Sequence, residues 1–162
     1  MRAIFKSTLR HYKKEGRALV YIDESGFSVD APRPNGYSEI GKRCTGIYNW
    51  NERGRINVIG GLIGKEILVA SLFESNIDSD IFFAWTTQCL LPKLPKNSVV
   101  ILDNASFHKR SDIQDVIRYA GHTLFYQPSY SPDLNAIEHK WAQLKSIRRK
   151  KRCSVYELFE NM

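Results

Sequence analysis

The sequence predicts an α/β fold, a mixed five-stranded sheet flanked by helices, and three observations support this prediction. Five short segments are apolar and rich in β-branched residues, which is typical of buried strands. Two of them are separated by only two residues, as in an antiparallel hairpin. The later segments alternate with helical patterns, which is typical of strands joined through helices on the faces of a sheet.

The first half of the chain supplies one strand and the hairpin. Residues 17–23 (RALVYID) form an apolar run that ends at the carboxylate of Asp23. Residues 30–54 are rich in Pro, Gly, Asn and Arg, which predicts a long loop. The hairpin strands are residues 56–63 and 66–73, with Gly64-Lys65 as the turn.

The second half alternates helices with strands, and each element has a recognisable boundary residue. The first helix covers 77–91, with Asp78 or Ser79 as its N-cap and Pro92 after it. The following elements are a strand at 98–102 that ends at Asp103, a helix at 110–120, a strand at 123–126, and a last helix that begins at Ser131-Pro132 and continues through 145–152.

Composition excludes several classes of protein. With 162 residues and 43% hydrophobic residues, the chain predicts one globular domain and not a disordered tail. No apolar run approaches the roughly 18 residues of a membrane span, and the N-terminus does not resemble a secretory signal. The three cysteines are far apart and form no C-x-x-C motif, so we expect neither a disulfide framework nor a cysteine zinc site. A cytoplasmic protein is the simplest expectation.

The net charge of +7 is concentrated at the two ends of the chain. Residues 1–17 carry six basic residues and one acidic residue, and residues 145–152 carry six basic residues and no acid. The remainder is therefore acidic, with a net charge of −4. Such basic ends are often simply solvated surface. They also suit a protein that grips a polyanion such as nucleic acid.

Three carboxylates are candidates for the chemistry. Asp23 and Asp103 each follow an apolar strand, and parallel strands would place both at the same edge of the sheet. Glu138 lies about 80° from the centre of the apolar stripe of the last helix, at the border between core and solvent. Each residue alone has a plainer explanation, as a turn or helix cap or as an ordinary boundary residue.

Three converging carboxylates repel one another unless a raised pKa or a divalent cation compensates. A ligand set made only of oxygen favours Mg²⁺ or Mn²⁺ over zinc. Two such ions activate a water or hydroxyl and stabilise the leaving oxygen in phosphodiester cleavage. The acidic residues and basic ends therefore predict a protein that cuts or joins a nucleic-acid backbone.

Three blocks of sequence make a family resemblance specific. The stretches YIDESGF (21–27), ILDNASFH (101–108) and YSPDLNAIEHKW (130–141) resemble the signature blocks of mariner-type DDE transposases, particularly their bacterial insertion-sequence branch. The 34-residue separation of Asp103 and Glu138 is typical of that group. The resemblance implies an RNase H-like fold, with Asp23, Asp103 and Glu138 as the catalytic, metal-binding triad.

The resemblance also implies a function and its context. Two Mg²⁺ or Mn²⁺ ions per site would support cleavage of transposon ends and attack of the freed 3′-hydroxyl on target DNA. Double-stranded DNA would be the partner, a homodimer the assembly, and the nucleoid of a bacterial cytoplasm the location. Residues 18–162 would be the catalytic domain. Residues 1–17 would be a basic arm or linker remnant, too short for the helix-turn-helix modules of such transposases.

Further residues are weaker candidates for DNA contacts. Asn104 and His108 follow the second acid, and His139 follows Glu138. A second set lies in the basic end of the last helix, namely Lys145, Arg148, Arg149 and Lys150. Asn104 and His108 have a plainer explanation, as a turn cap and a helix cap, which the sequence slightly favours. Tyr37, Gly41 and Arg43 resemble a family motif in the loop after the first acid, which can serve dimer or DNA contacts.

Two alternatives remain open on the sequence alone. One is a structure-selective nuclease of the same fold, such as a junction resolvase or an RNase H. The other is a catalytically inactive DNA-binding or dimerisation fragment of a decayed transposase.

Overall fold

The computed structural model describes residues 1–29, 40–41 and 54–162. Its strands are β1 (Leu19–Ser28), β2 (Arg55–Ile63), β3 (Glu66–Phe73), β4 (Val99–Leu102) and β5 (Thr123–Tyr126). They form one sheet in the order β3-β2-β1-β4-β5. β1, β2 and β3 are antiparallel neighbours, whereas β4 runs parallel to both β1 and β5. The predicted mixed five-stranded sheet is therefore confirmed, while Tyr37 and Arg43 lie outside the described residues.

Helices cover both faces of this sheet. They are α1 (Arg2–Lys14), α2 (Ser79–Trp85), α3 (Ser111–Tyr119), α4 (Ala136–Lys151) and α5 (Val155–Glu160). On one face, Val20 and Ile22 of β1 pack in a core with residues of α2 and α3. On the other face, α4 and α5 cover β1 and β2, and α1 covers β4 and β5. No helix in the described ranges is long and apolar enough to cross a bilayer.

Helix α1 gives the first residues a structural role that the charge pattern did not predict. Phe5 is buried, and Leu9 and Tyr12 lie on the same side of the helix. Phe5 stacks on Phe125 of β5 with ring centroids 4.9 Å apart, and Tyr12 meets the same ring edge-on at 5.9 Å. These aromatic contacts hold α1 against the sheet.

The helix predicted over 77–91 is regular only in its first half. Asp78 caps α2 by accepting a hydrogen bond of 2.8 Å from the N–H of Ile81. After Trp85 the backbone widens into a π-helical turn at Thr86–Leu90 and then tightens into a 3₁₀ turn at Leu91–Lys93. At the start of the wide turn, the hydroxyl of Thr86 donates to the carbonyl of Phe82, and such bonds disturb regular helix geometry.

The last long helix begins later than Ser131-Pro132, where the sequence predicted its start. Pro132–Leu134 form a separate 3₁₀ turn, and Asn135 has an extended backbone with φ −95° and ψ 107°. The Asn135 side chain accepts a hydrogen bond of 3.2 Å from the N–H of Ile137 and so caps α4. The cap is therefore Asn135 rather than Ser131, which moves the helix start to residue 136.

His122 predicts a pH-dependent stability. Its Nδ1 accepts a hydrogen bond of 3.1 Å from the N–H of Ser98, and burial, with the nearby charge of Arg17, lowers its pKa from 6.5. Below that pH the unfolded chain therefore binds more protons than the folded chain. The contribution of His122 is complete above pH 6.5 and is lost as the pH falls from that value through the lower pKa of the folded state.

We expect a His122→Asn variant, whose amide oxygen can replace Nδ1 as the acceptor, to lose less stability between pH 8 and pH 5 than the wild type. The difference should be about 1 kcal/mol, as for one buried hydrogen bond. Urea denaturation at the two pH values measures it. Identical losses in both proteins would contradict the prediction.

Candidate active site

The parallel pairing of β1 and β4 brings two of the predicted acids to the same region. The last aligned pair is Tyr21 with Ile101, and each acid lies two residues further along the chain. Asp103 follows the end of β4, as the sequence predicted. The sequence also predicted that Asp23 ends the first strand, but Asp23 lies in the middle of β1. β1 continues to Ser28 because β2 pairs with it along this whole stretch, with Asp23 opposite Gly60.

Gly60 allows α4 to approach the sheet beside Asp23. A Cβ atom at Gly60 would lie 2.5 Å from Cη2 of Trp141, which is closer than real contacts allow. Trp141 and Ile137 are both buried against the sheet. Glu138 follows Ile137 on α4, and its carboxyl group reaches the carboxyl group of Asp23 and forms a hydrogen bond with it. The close approach at Gly60 thus supports the meeting of Asp23 and Glu138.

We expect Gly60→Ala to lower the free energy of unfolding by about 1–3 kcal/mol, because the added methyl group overpacks the contact with Trp141. Urea denaturation measures the loss. The same substitution in a Trp141→Leu background, where the aromatic ring is absent, should cost clearly less. Equal losses in the two backgrounds would show that this contact does not set the position of α4.

The three acids line one open cleft of about 380 Å³. Its other walls come from the segment after β4 and from the loop between β5 and α4. The lining residues are Asp23, Asp103, Asn104, Ala105, Gln127, Pro128, Ser129, Tyr130, Ser131, Pro132, Asn135 and Glu138. The structure therefore brings the predicted triad to a single solvent-accessible surface.

Asp23 and Glu138 place two carboxyl groups side by side in the cleft. Burial of Asp23, its hydrogen bond to Glu138, and the charges of Glu138 and Glu24 all hold the pKa of Asp23 far above its usual value of 3.8. Asp23 is buried, whereas Glu138 is exposed. The raised pKa of Asp23 favours its neutral form, which reduces the repulsion between the converging carboxyl groups.

Asp103 is in the opposite electrostatic state because His108 contacts it. His108 is fully buried, and its Nδ1 lies 2.6 Å from Oδ1 of Asp103. Its Nε2 lies 2.8 Å from Oε1 of Glu24. Burial alone would lower the pKa of His108, but its hydrogen bonds to Asp103 and Glu24 outweigh burial and raise the pKa to about 9. His108 is thus a cation that donates to both carboxylates.

The effect on Asp103 is to keep it ionised. The hydrogen bond from His108 lowers its pKa, as do the backbone N–H of Ala105 and the charge of His108, and together they outweigh its partial burial. Both hydrogen bonds use Oδ1. The other oxygen, Oδ2, takes part in neither contact and is the natural ligand atom of this residue.

The donor set of the cleft fits a hard divalent cation. Asp23, Asp103 and Glu138 provide only oxygen atoms, which suits Mg²⁺ or Mn²⁺. The raised pKa of Asp23 marks the place where positive charge is needed. Within the described ranges, no three acidic, histidine or cysteine side chains form a ready-made metal cluster.

The two candidates that follow Asp103 lie in different environments. Asn104 is exposed in the cleft, where its Nδ2 donates a hydrogen bond of 2.9 Å to Oγ of Ser129 and ties two walls together. His108 belongs to a 3₁₀ turn, Ser106–Lys109, that folds its ring into the protein. The prediction that His108 contacts DNA needs correction, since both ring nitrogens bind carboxylates and no part of the side chain is exposed.

The candidates on α4 also separate into different groups. Arg149 and Lys150 are exposed, and the Lys145 ammonium lies 5.1 Å from the centroid of the Phe27 ring. His139 is exposed beside a second cleft near the β2–β3 turn and does not line the cleft of the triad. The prediction that Arg148 contacts DNA directly needs correction, because its side chain is buried.

Arg148 has a structural role. Its guanidinium donates hydrogen bonds of 2.9 Å to the carbonyl of Val29 and 3.2 Å to the carbonyl of Cys153. These bonds tie the end of β1 and the segment before α5 to α4. The exposed basic surface of α4 is therefore smaller than the run of charges in the sequence suggested.

Two residues near the site were missed from the sequence. Glu24 follows Asp23 directly and, by strand alternation, points to the opposite face, where it meets His108. Gln127 is buried in the wall of the cleft, and its Nε2 has no hydrogen-bond partner among the described residues. The adjacent Asp-Glu pair in a strand was a visible signal for Glu24. Nothing in the sequence distinguished Gln127.

Comparison with known proteins agrees with this geometry. The Mos1 strand transfer complex superposes with a TM-score of 0.72 at 19% identity, covering 96% of this chain and 49% of that chain. The mariner Mos1 paired-end complex with Mg gives 0.69 at 19% identity, with coverages of 99% and 51%. The catalytic domain of Mos1 mariner transposase gives 0.61 at 15% identity, with coverages of 96% and 73%.

These similarities establish the fold as the RNase H-like fold of the Mos1 catalytic domain. The chain spans about half the length of the transposase chains in the two complexes. No curated protein sequence matches it. A family model described as DDE superfamily endonuclease matches residues 18–157, which include β1, β4, α4 and all three acids. The chain therefore belongs to the DDE superfamily endonucleases.

Proposed function

We propose that this chain is the catalytic domain of a DDE transposase, which cleaves the ends of a DNA element and joins the freed 3′-hydroxyl to target DNA. One observation carries the proposal: Asp23, Asp103 and Glu138 come from three separate elements and line one cleft. The similarity to Mos1 complexes supports transposition within the endonuclease family.

The residues of the cleft would divide the work. Asp23, Asp103 and Glu138 would hold two Mg²⁺ or Mn²⁺ ions, and bound ions of this kind activate an attacking water or hydroxyl and stabilise a leaving oxygen. His108 keeps Asp103 ionised and fixes its Oδ1, so that Oδ2 is presented in a constant position. The wall at residues 128–132 and the amide of Asn104 would position the DNA backbone.

The context of the reaction is part of the same proposal. Double-stranded DNA would be both donor and target, and a homodimer would pair two transposon ends. A bacterial host and a location at the nucleoid are supported by the motif resemblance to insertion-sequence transposases. The exposed Arg149 and Lys150 and the half-buried Lys145 are candidates for phosphate contacts at the basic end of α4.

Calorimetric titration with MnCl₂ tests the site directly. We expect the wild type to bind Mn²⁺ and an Asp23→Asn/Asp103→Asn variant to lose this binding. A Glu66→Gln/Asp115→Asn variant, which removes two exposed carboxylates elsewhere, is the matched control and should bind like the wild type. Unchanged binding in the Asp23/Asp103 variant would refute the assignment of the site.

The type of reaction is tested with a supercoiled plasmid and a labelled oligonucleotide that has a free 3′-hydroxyl. A transposase should join the oligonucleotide to the plasmid in Mg²⁺ or Mn²⁺, and Glu138→Gln should abolish joining. Hydrolysis of RNA–DNA hybrids without any joining would instead favour a nuclease of the same fold. DNA binding without cleavage in either metal would favour an inactive fragment.

A further inference from the structure

Helix α1 presents a continuous basic stripe beside the side that packs on the sheet. Arg2, Lys6, Arg10 and Lys13 follow one another at intervals of four, four and three residues, and all four are exposed. At about 100° per residue they fall within an arc of about 80°. We call these four residues the α1 stripe. It is about 16 Å long, since a helix rises 1.5 Å per residue.

The α1 stripe begins at the rim of the catalytic cleft. The guanidinium of Arg2 forms an ion pair with Asp133 and lies 3.4 Å from Oγ of Ser131, which lines the cleft. The hydrogen bond from Arg2 lowers the pKa of Asp133, and the charges of Arg2 and Lys6 add to this effect. Lys6 follows Arg2 by about one helical turn on the same side of α1, so the stripe leads away from this rim along the helix.

Helix stability does not account for these charges. α1 contains no acidic residue, and a cation in the first turn, such as Arg2, opposes the helix dipole. Lys6, Arg10 and Lys13 form no ion pair with any residue of the described ranges. Among the acids of the described ranges, Asp133 alone forms an ion pair with the start of the stripe. The result is a linear, uncompensated positive surface joined to an acidic cleft.

We propose that the α1 stripe binds the phosphate backbone of the DNA segment that flanks the cleavage site. The inference rests on the proposed function, because it takes the cleft as the place of cleavage. A stripe of about 16 Å matches the rise of about five phosphates along one strand. A duplex that enters the cleft past Ser131 would therefore meet successive cations of α1. An extended row of phosphates fits this linear arrangement better than a compact acidic peptide does.

The first test removes charge from the α1 stripe and leaves the cleft unchanged. The triple variant Lys6→Gln/Arg10→Gln/Lys13→Gln is compared with Lys65→Gln/Lys93→Gln/Arg118→Gln, which removes the same types of exposed cation elsewhere. Binding of a short fluorescein-labelled duplex is measured by anisotropy in EDTA, between about 50 and 200 mM salt. We expect the α1 variant to bind about tenfold more weakly, with a salt slope smaller by about 2–3.

The second test strengthens binding, so that misfolding cannot imitate the result. Asp133→Asn removes the carboxylate that pairs with Arg2 and releases Arg2 for a phosphate. We expect tighter binding of the same duplex and a steeper salt dependence, by about one released counterion. Asp115→Asn, the matched control, removes an exposed carboxylate on α3. Its affinity for the duplex should stay within twofold of the wild type, apart from the small effect of net charge.

The outcomes separate this proposal from the proposed function. Equal affinities for the two triple variants, or no gain from Asp133→Asn, would overturn the role of the α1 stripe while leaving the Mn²⁺ titration unaffected. If the wild type did not bind Mn²⁺, the assignment of the active site would be refuted, while these DNA affinities would be unchanged. If vesicles containing phosphatidylserine or a polyglutamate chain show the same dependence on the stripe with equal affinity, the specific fit to DNA is refuted.

Discussion

Replacing His108 with alanine is expected to produce the largest loss of stability of any single substitution at the site. The buried ring donates to Asp103 at 2.6 Å and to Glu24 at 2.8 Å, and its removal leaves two carboxylates in contact with a cavity. Breaking a buried ion pair by removing one partner typically costs about 3–5 kcal/mol. Urea denaturation should show a loss in this range. His11→Ala, at an exposed histidine, is the matched control.

The same residue should affect metal binding. Partners that orient metal ligands typically change metal affinity by about 10–100-fold when mutated. We expect His108→Gln, which keeps one donor and the approximate shape of the side chain, to fold and to bind Mn²⁺ more weakly within this range. Wild-type stability of His108→Ala, or wild-type Mn²⁺ affinity of His108→Gln, would show that the bridge does not position Asp103.

Asp23→Asn is expected to make the metal-free protein more stable while it removes Mn²⁺ binding. The amide is nearly isosteric, can still bond to Glu138, and carries no charge to bury. Because folding raises the pKa of Asp23, the wild type loses stability as the pH rises above 3.8, where the unfolded carboxyl ionises. At pH 7 the variant should gain about 1–2 kcal/mol, as other relieved functional sites do.

Urea denaturation in EDTA at pH 5 and pH 8 measures this gain, which should be larger at the higher pH. Asp115→Asn makes the same chemical change at an exposed carboxylate and should alter stability little. A variant that is less stable than the wild type at pH 8 would mean that the Asp23 carboxyl stabilises the metal-free fold. The site would then not be strained by its own charge.

The sequence predicted the triad because strand order alone brings Asp23 and Asp103 together. Parallel strands place equivalent positions side by side, and an apolar run that ends in a carboxylate is visible without coordinates. The position of Glu138 was harder to predict, because it depends on the contact between Gly60 and Trp141. A glycine in a strand shows that something approaches closely, but not which side chain does.

Misinterpretations arose where charge concealed an apolar pattern. Ile137, Trp141, Leu144 and Arg148 lie on one face of α4, so the core stripe continues into the basic cluster. The aliphatic part of an arginine can occupy such a position when its guanidinium finds backbone carbonyls, as it does here. The basic N-terminus likewise contained the buried side of α1, with Phe5 at its centre.

The role of His108 could not be predicted from spacing. It depends on a short 3₁₀ turn that carries the ring back to Asp103 and against Phe82 of α2, and on Glu24 pointing away from Asp23. Neither the turn nor the partner follows from the periodicity of the flanking segments. A buried histidine between two carboxylates is recognised only when all three positions are known.

The alternation of Asp23 and Glu24 along β1 makes the alignment of this strand a chemical requirement. If β1 slipped by one residue against β2 in one direction, Glu24 would take the place of Asp23 and face Glu138, and Ser25 would take the place of Glu24 beside His108. A slip in the other direction would place Asp23 beside His108 and Ile22 in the position that Asp23 now occupies. In either direction one position would lose its carboxylate, and the other would hold one of the wrong length. A single-residue insertion or deletion in β1 should therefore be tolerated less well than almost any point substitution on the solvent-exposed surface of the protein.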